Sequence, residues 1–128
     1  MTGYLVVTGI LFLLVGLRAL LKPVEAVANP YGLTADEVDA KNYLRSGAGG
    51  VAIACGVVFV LAVFMPSLTL PALVVAVTVL GGLFFGRLFS LVVDGMPGPV
   101  PWIAGAFEGI GMAFGVYRLV QLLGEAAG

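Results

Sequence analysis

Hydrophobic positions run in four blocks, about Tyr4 to Leu21, Ser46 to Met65, Leu68 to Val93 and Val100 to Leu123, with most polar residues gathered between them. Each block has the roughly 20 apolar residues that a helix needs to cross a bilayer. None alternates with a period of two, as a barrel strand would. Backbone groups in hydrocarbon must be satisfied internally, so the runs predict helices. The expected architecture is all-α: a transmembrane four-helix bundle in a single domain, residues 1–128, with a partly helical first loop.

The connections differ in length. Pro66-Ser67 and the stretch Asp94 to Pro99 are short, which sets spans two, three and four antiparallel to their neighbours. The first connection is longer and carries its own signals. Lys22-Pro23 stops helix one, Asn29-Pro30-Tyr31-Gly32 marks a turn, and Thr34-Ala35-Asp36-Glu37 has the spacing of a capping box. Helix two is therefore expected to begin near Thr34. Glu37, Lys41 and Arg45 follow at steps of four, so the polar turns and the second apolar run form one continuous helix projecting from the membrane.

Composition fits this picture. The 128 residues are 61% hydrophobic and 10% charged, with a mean hydropathy of +1.15, far from the quarter or so of charged residues in soluble chains. The first block lacks a basic region before it and a small-residue cleavage pattern after it, so it reads as a retained span. Net charge is −1 and the six Lys and Arg are scattered, which argues against a nucleic-acid partner. There is no His, and Cys55 is the single cysteine. Metal ligation, haem binding and an internal disulfide lose their usual residues; no cofactor and no metal are expected. No Ser, Cys or His constellation points to covalent catalysis, so no catalytic residue is assigned and an enzyme is not expected.

Small residues recur at close-packing intervals: Gly49 and Gly56 in span two, Gly82 and Gly86 in span three, then Gly105 with Gly109 and Gly111 with Gly115 in span four. In lipid such spacing lets helix backbones approach. Aromatic residues mark two levels, Tyr4 and Tyr117 at one, Tyr31, Tyr43 and Trp102 at the other. Arg18, Lys22, Lys41, Arg45 and Arg87 lie toward the side of the first and third loops, against Arg118 on the other. Counted literally, that distribution leaves both termini outside the cytoplasm.

The charges within the apolar blocks are the candidate chemistry. Arg87 lies two helical turns before Asp94 and about 10 Å deeper. Glu108 sits at a similar depth beyond Trp102 on the next helix, so Arg87 and Glu108 are placed to pair inside the bundle. An unpaired charge there is costly, whereas a paired and hydrogen-bonded one is tolerated. Ser90 and Asp94 extend the polar stripe toward the loop, and Arg45 enters from helix two near that level. These five residues, Arg45, Arg87, Ser90, Asp94 and Glu108, form the candidate binding site. A buried network that only fixes helix register is the structural alternative. A guanidinium stays protonated and presents planar donors suited to carboxylate or phosphate, so the natural guest is an anionic lipid or small amphiphile. The alternatives are an accessory subunit of a larger membrane complex or a homo-oligomer, motivated by the small-residue faces, and a proton-coupled transporter using Glu108.

The stretch Gly86-Arg87-Leu88-Phe89-Ser90-Leu91-Val92-Val93-Asp94-Gly95-Met96-Pro97, preceded by Arg45 and the Gly47-Ala48-Gly49-Gly50 segment and followed by Glu108, resembles a family of small bacterial integral membrane proteins that is known only as a domain of unknown function. The likeness covers nearly the whole chain. It implies four helices in the cytoplasmic membrane of a bacterium and carries no assigned activity. Small multidrug exporters, similar in length, depend on a carboxylate in helix one, and helix one here has none. The Phe-box and Thr-rich break of fluoride channels are also missing from LVVAVTVLGGLFFGRLF.

Overall fold

In the computed structural model, which describes residues 2–127, every regular element is helical. Four helices are long and apolar enough to cross a membrane: α1 (Thr2–Leu21), α2 (Val38–Phe64), α3 (Thr69–Asp94, preceded by a 3-10 turn at Pro66–Leu68) and α4 (Pro99–Ala127). The expected all-helical, four-span architecture holds, and each helix ends within four residues of its apolar block, except that α2 starts earlier. That helix starts eight residues before its apolar block, as one continuous rod whose polar first turns include Asp39 and Lys41.

Two features of α2 depart from expectation. The capping box does not form. The helix begins at Val38 with Glu37 as N-cap in an extended conformation (φ −76°, ψ 150°), and no side chain bonds its free amides. The reason lies in the first loop. The chain leaves α1 through a π-helical turn, Val24–Ala28, closed by the Leu33 amide donating to the Ala28 carbonyl at 2.7 Å. Ala28, Ala35 and Leu44 then bury against one another, with Val24, Val27 and Ala40 around them. Seating Ala35 in that small core keeps residues 33–37 out of helical geometry, and this tertiary contact overrides the local capping signal. Gly32 completes the turn at φ +69°, a conformation open to glycine and costly for other residues.

The second departure is a π-helical segment at Arg45–Gly50 in the middle of α2. Its sequence, RSGAGG, is poor in helix formers, and a π-turn widens the coil by one residue. The segment places Gly49 against the end of α1, where a Cβ would lie 2.9 Å from the Leu20 amide nitrogen. The same contact continues along both helices. A Cβ at Gly16 would meet the Ile53 nitrogen at 2.8 Å and the Gly49 carbonyl oxygen at 2.9 Å, and one at Gly56 would meet Leu13 Cγ at 2.7 Å. So α1 and α2 touch backbone to backbone, the kind of approach from which helices in lipid gain dispersion energy.

The α3–α4 pair joins this first pair mainly at one end. Leu5, Phe59, Ala62, Ala72, Leu73 and Ala76 form the buried core there, with Phe12 edge-on to Phe59 at 5.4 Å between centroids. Tyr4, expected among the interfacial aromatics, instead reaches across from α1 and donates its hydroxyl to the Gly111 carbonyl of α4 at 2.8 Å. From Leu83 onward α3 holds no fully buried residue. α3 is thus tightly packed toward the second loop and looser toward the third, whereas α1 and α2 stay in close contact up to the first loop.

The glycines divide accordingly. Gly9, Gly16, Gly49 and Gly56 are packed, whereas Gly82 and Gly86 meet nothing within 4 Å, so the close-packing expected of span three is absent at these two positions. Gly16→Val is expected to lower stability by about 1–3 kcal/mol, the usual scale of overpacking, while Gly82→Ala leaves it unchanged or raised. Thermal unfolding in detergent, followed by circular dichroism, separates the two variants.

Candidate functional site

α3 is 26 residues long, about 39 Å, against a hydrocarbon core of roughly 30 Å. A centred α3 therefore carries Asp94 into the headgroup zone. Arg87, about 10 Å along the axis from that end, lies a few ångströms inside the hydrocarbon boundary. At this depth the guanidinium needs a partner. Glu108 of α4 supplies it through two parallel bonds: Arg87 Nε donates to Oε2 at 2.5 Å and Nη2 donates to Oε1 at 2.9 Å. The fork-to-fork geometry is the strong form of this pair.

The pair is asymmetric in exposure. The Glu108 side chain retains 11% of its accessible surface, the Arg87 side chain 29%. Gly105, one turn before Glu108, makes room for the arginine. A Cβ there would lie 3.3 Å from Arg87 Cδ, so the aliphatic stem runs across the face of α4 at that glycine. From the other side the first loop lays the ring of Tyr31 over the guanidinium, 5.8 Å from its carbon to the ring centroid. Tyr31 thus belongs to the site rather than to a membrane-interface belt. The turn signal Asn29-Pro30-Tyr31-Gly32 was legible, but its landing place required the path of the folded loop.

Of the five candidate residues, Arg87 and Glu108 are in contact. Ser90 and Asp94 form a second pair one turn outward, the Ser90 hydroxyl donating to Asp94 Oδ2 at 2.8 Å. Arg45 stands apart. Its Nη1 donates to the carbonyl of Leu20 near the end of α1, and it has no hydrogen bond to Arg87, Asp94 or Glu108 among the described residues. Carbonyls in the last turn of a helix lack intrahelical donors. A cation is favoured at that end of the helix dipole. The expected five-residue cluster is therefore split between an Arg87–Glu108 pair, a Ser90–Asp94 pair and an arginine that caps α1.

Beside the ion pair runs an open groove of about 560 Å³ between α3 and α4. On its α3 wall Gly82 and Gly86 leave gaps between Leu83, Phe84, Leu88 and Leu91, and Trp102, Pro97 and Pro101 stand toward the third loop. Arg87 and Ser90 are the polar side chains that line it. Gly95, at φ +97°, ends α3 and turns the chain into that loop. No cluster of three or more His, Cys, Asp or Glu suited to a metal occurs among the described residues.

The model of a domain of unknown function, DUF4345, matches residues 1–119. The chain belongs to the DUF4345 family. The match takes in the first three helices and α4 as far as Leu119, including the Gly86–Pro97 stretch and Glu108. Neither a curated protein nor a solved structure matches the chain. What this DUF4345 domain offers chemically is a permanently charged, part-exposed donor beside an apolar groove at the edge of the hydrocarbon.

Removing one member of the pair tests its weight. Breaking a buried ion pair costs about 3–5 kcal/mol. Because Arg87 is part exposed, Glu108→Ala is expected to cost nearer to 2 kcal/mol. The double variant Arg87→Met with Glu108→Met removes both charges and is expected to recover to within about 1 kcal/mol of the parent. A double-mutant cycle on unfolding temperature measures both numbers.

Proposed function

We propose that this multi-pass protein lies in the cytoplasmic membrane of a bacterium and binds a membrane lipid or small amphiphile, whose acceptor group meets Arg87 while its apolar part lies in the groove between α3 and α4. The observation that carries this reading is the conjunction of an unfilled apolar groove with a part-exposed guanidinium on its wall. A guanidinium has five N–H donors, and Glu108 takes two of them. The Nη1 edge has no carboxylate among the described residues, and phosphate or carboxylate oxygens suit it.

The depth supports the same reading. With α3 centred in the bilayer, Arg87 would lie just inside the hydrocarbon boundary, within side-chain reach of the ester and phosphate level of a lipid. The groove has the volume of a small-molecule site, in the range of about 300–1,000 Å³. Gly82 and Gly86, with nothing within 4 Å of a Cβ at either, leave open space along the groove for an apolar chain. The bacterial placement rests on the Gly86–Pro97 resemblance alone, and the proposal assigns no catalysis, cofactor or nucleic-acid partner.

The experiment is native mass spectrometry of the purified protein. A charge-to-bond contact is worth about 1.5–3 kcal/mol. The variant Arg87→Gln with Glu108→Gln, which keeps the side-chain lengths and removes both charges, is therefore expected to lose about tenfold or more of co-purifying lipid. Arg45→Ala, at the end of α1, is expected to retain it. Equal lipid content in the parent and the double glutamine variant overturns the proposal.

A further inference from the structure

The polar groups of the groove are ordered along α3. Arg87 is deepest, Ser90 follows one turn toward the third loop, and Asp94 is at the helix end, its carboxylate bonded to the Ser90 hydroxyl at 2.8 Å. All three lie on one face, since residues three, four and seven apart stack along a helix. Arg87 and Ser90 line the groove, and Pro97, just beyond Asp94, lines its outer end, which places Asp94 at the lip.

The charge count of this neighbourhood is not positive. Glu108 already offsets Arg87, Asp94 adds a negative charge, and Arg45 is committed to the Leu20 carbonyl on another helix. A headgroup with net negative charge would gain donors at Arg87 and meet an uncompensated carboxylate at the lip. A dipolar headgroup meets neither penalty. Its phosphate sits toward the hydrocarbon and its amine toward water, the same order in which α3 presents a cation and then an anion.

Resting on the proposed lipid site, we infer that the groove selects a zwitterionic phospholipid, a phosphodiester bearing a cationic amine, with the phosphate at Arg87 and the amine at Asp94. Asp94 is then the specificity residue. Ser90, which lines the groove, bonds this carboxylate and ties it to the groove's outer end. Arg87 anchors any phosphodiester, and Asp94 distinguishes among them.

Trp102 is the single tryptophan of the chain and lines the groove, so its emission reports what lies there. The protein is reconstituted in equimolar phosphatidylethanolamine and phosphatidylglycerol, with brominated chains on one lipid or on the other. Random contact gives equal quenching in the two preparations. The inference expects quenching to favour brominated phosphatidylethanolamine by about threefold in local occupancy, the scale of one exposed charge contact. Asp94→Asn is expected to return the ratio to near one, and Asp94→Lys to reverse it. Gly86→Leu, which places a side chain in open space within the groove, is expected to remove the preference while leaving the fold intact. A preference for phosphatidylglycerol that Gly86→Leu abolishes overturns the zwitterionic assignment and leaves the lipid site standing. Equal quenching in the parent protein, unchanged by Gly86→Leu, overturns both. A phosphatidylethanolamine preference that persists in Asp94→Asn removes Asp94 from the role.

Discussion

An ionised arginine near the hydrocarbon boundary is tolerable only if something answers its charge, and in this protein that requirement ties two helices together. The Arg87–Glu108 fork bridges α3 and α4 where apolar packing has thinned out. Everything around it accommodates it. Gly105 clears a path for the aliphatic stem, Tyr31 covers one face of the guanidinium, and the carboxylate is kept almost wholly out of solvent. Toward the opposite end α3 is held by ordinary apolar contact, with Leu80 and Val77 against Gly111 and Gly115 of α4 and with Ala72, Leu73 and Ala76 in the core shared with Leu5 and Phe59. The molecule is therefore stabilised by dispersion at one end and by a directed, charged contact at the other. A directed contact leaves gaps beside it that close packing would fill.

The two helix pairs illustrate different uses of glycine. Between α1 and α2, Gly9, Gly16, Gly49 and Gly56 remove side chains so that two backbones can meet. On α3, Gly82 and Gly86 remove side chains and nothing takes their place. A sequence reading treats the two sets alike, because spacing records that a side chain is missing and not which surface faces the gap.

Much of the fold was legible because hydrocarbon is a severe solvent. Length and apolarity alone located all four spans, and the step-of-four charges at Glu37, Lys41 and Arg45 correctly joined the polar turns to α2. The first loop was not legible, because its conformation is decided by Ala28, Ala35 and Leu44, small residues whose burial no local pattern announces. The π-helical turn at Arg45–Gly50 was likewise hidden; it depends on how closely Gly49 approaches Leu20. For the site, helix register was enough to bring Arg87 within reach of Glu108 and to stack Ser90 beneath Asp94. It could not tell that Arg45, at nearly the same level, turns to an orphan carbonyl on α1, since that demand arises from where another helix stops.

The groove is bounded lengthwise by α3 and α4 and is open along its side. A lipid held there under the proposed reading would exchange sideways with the surrounding leaflet, without a passage through water. Its occupancy would follow the mole fraction of that lipid in the bilayer rather than an aqueous concentration, so an affinity too feeble to register in solution would be enough for a major constituent of the membrane.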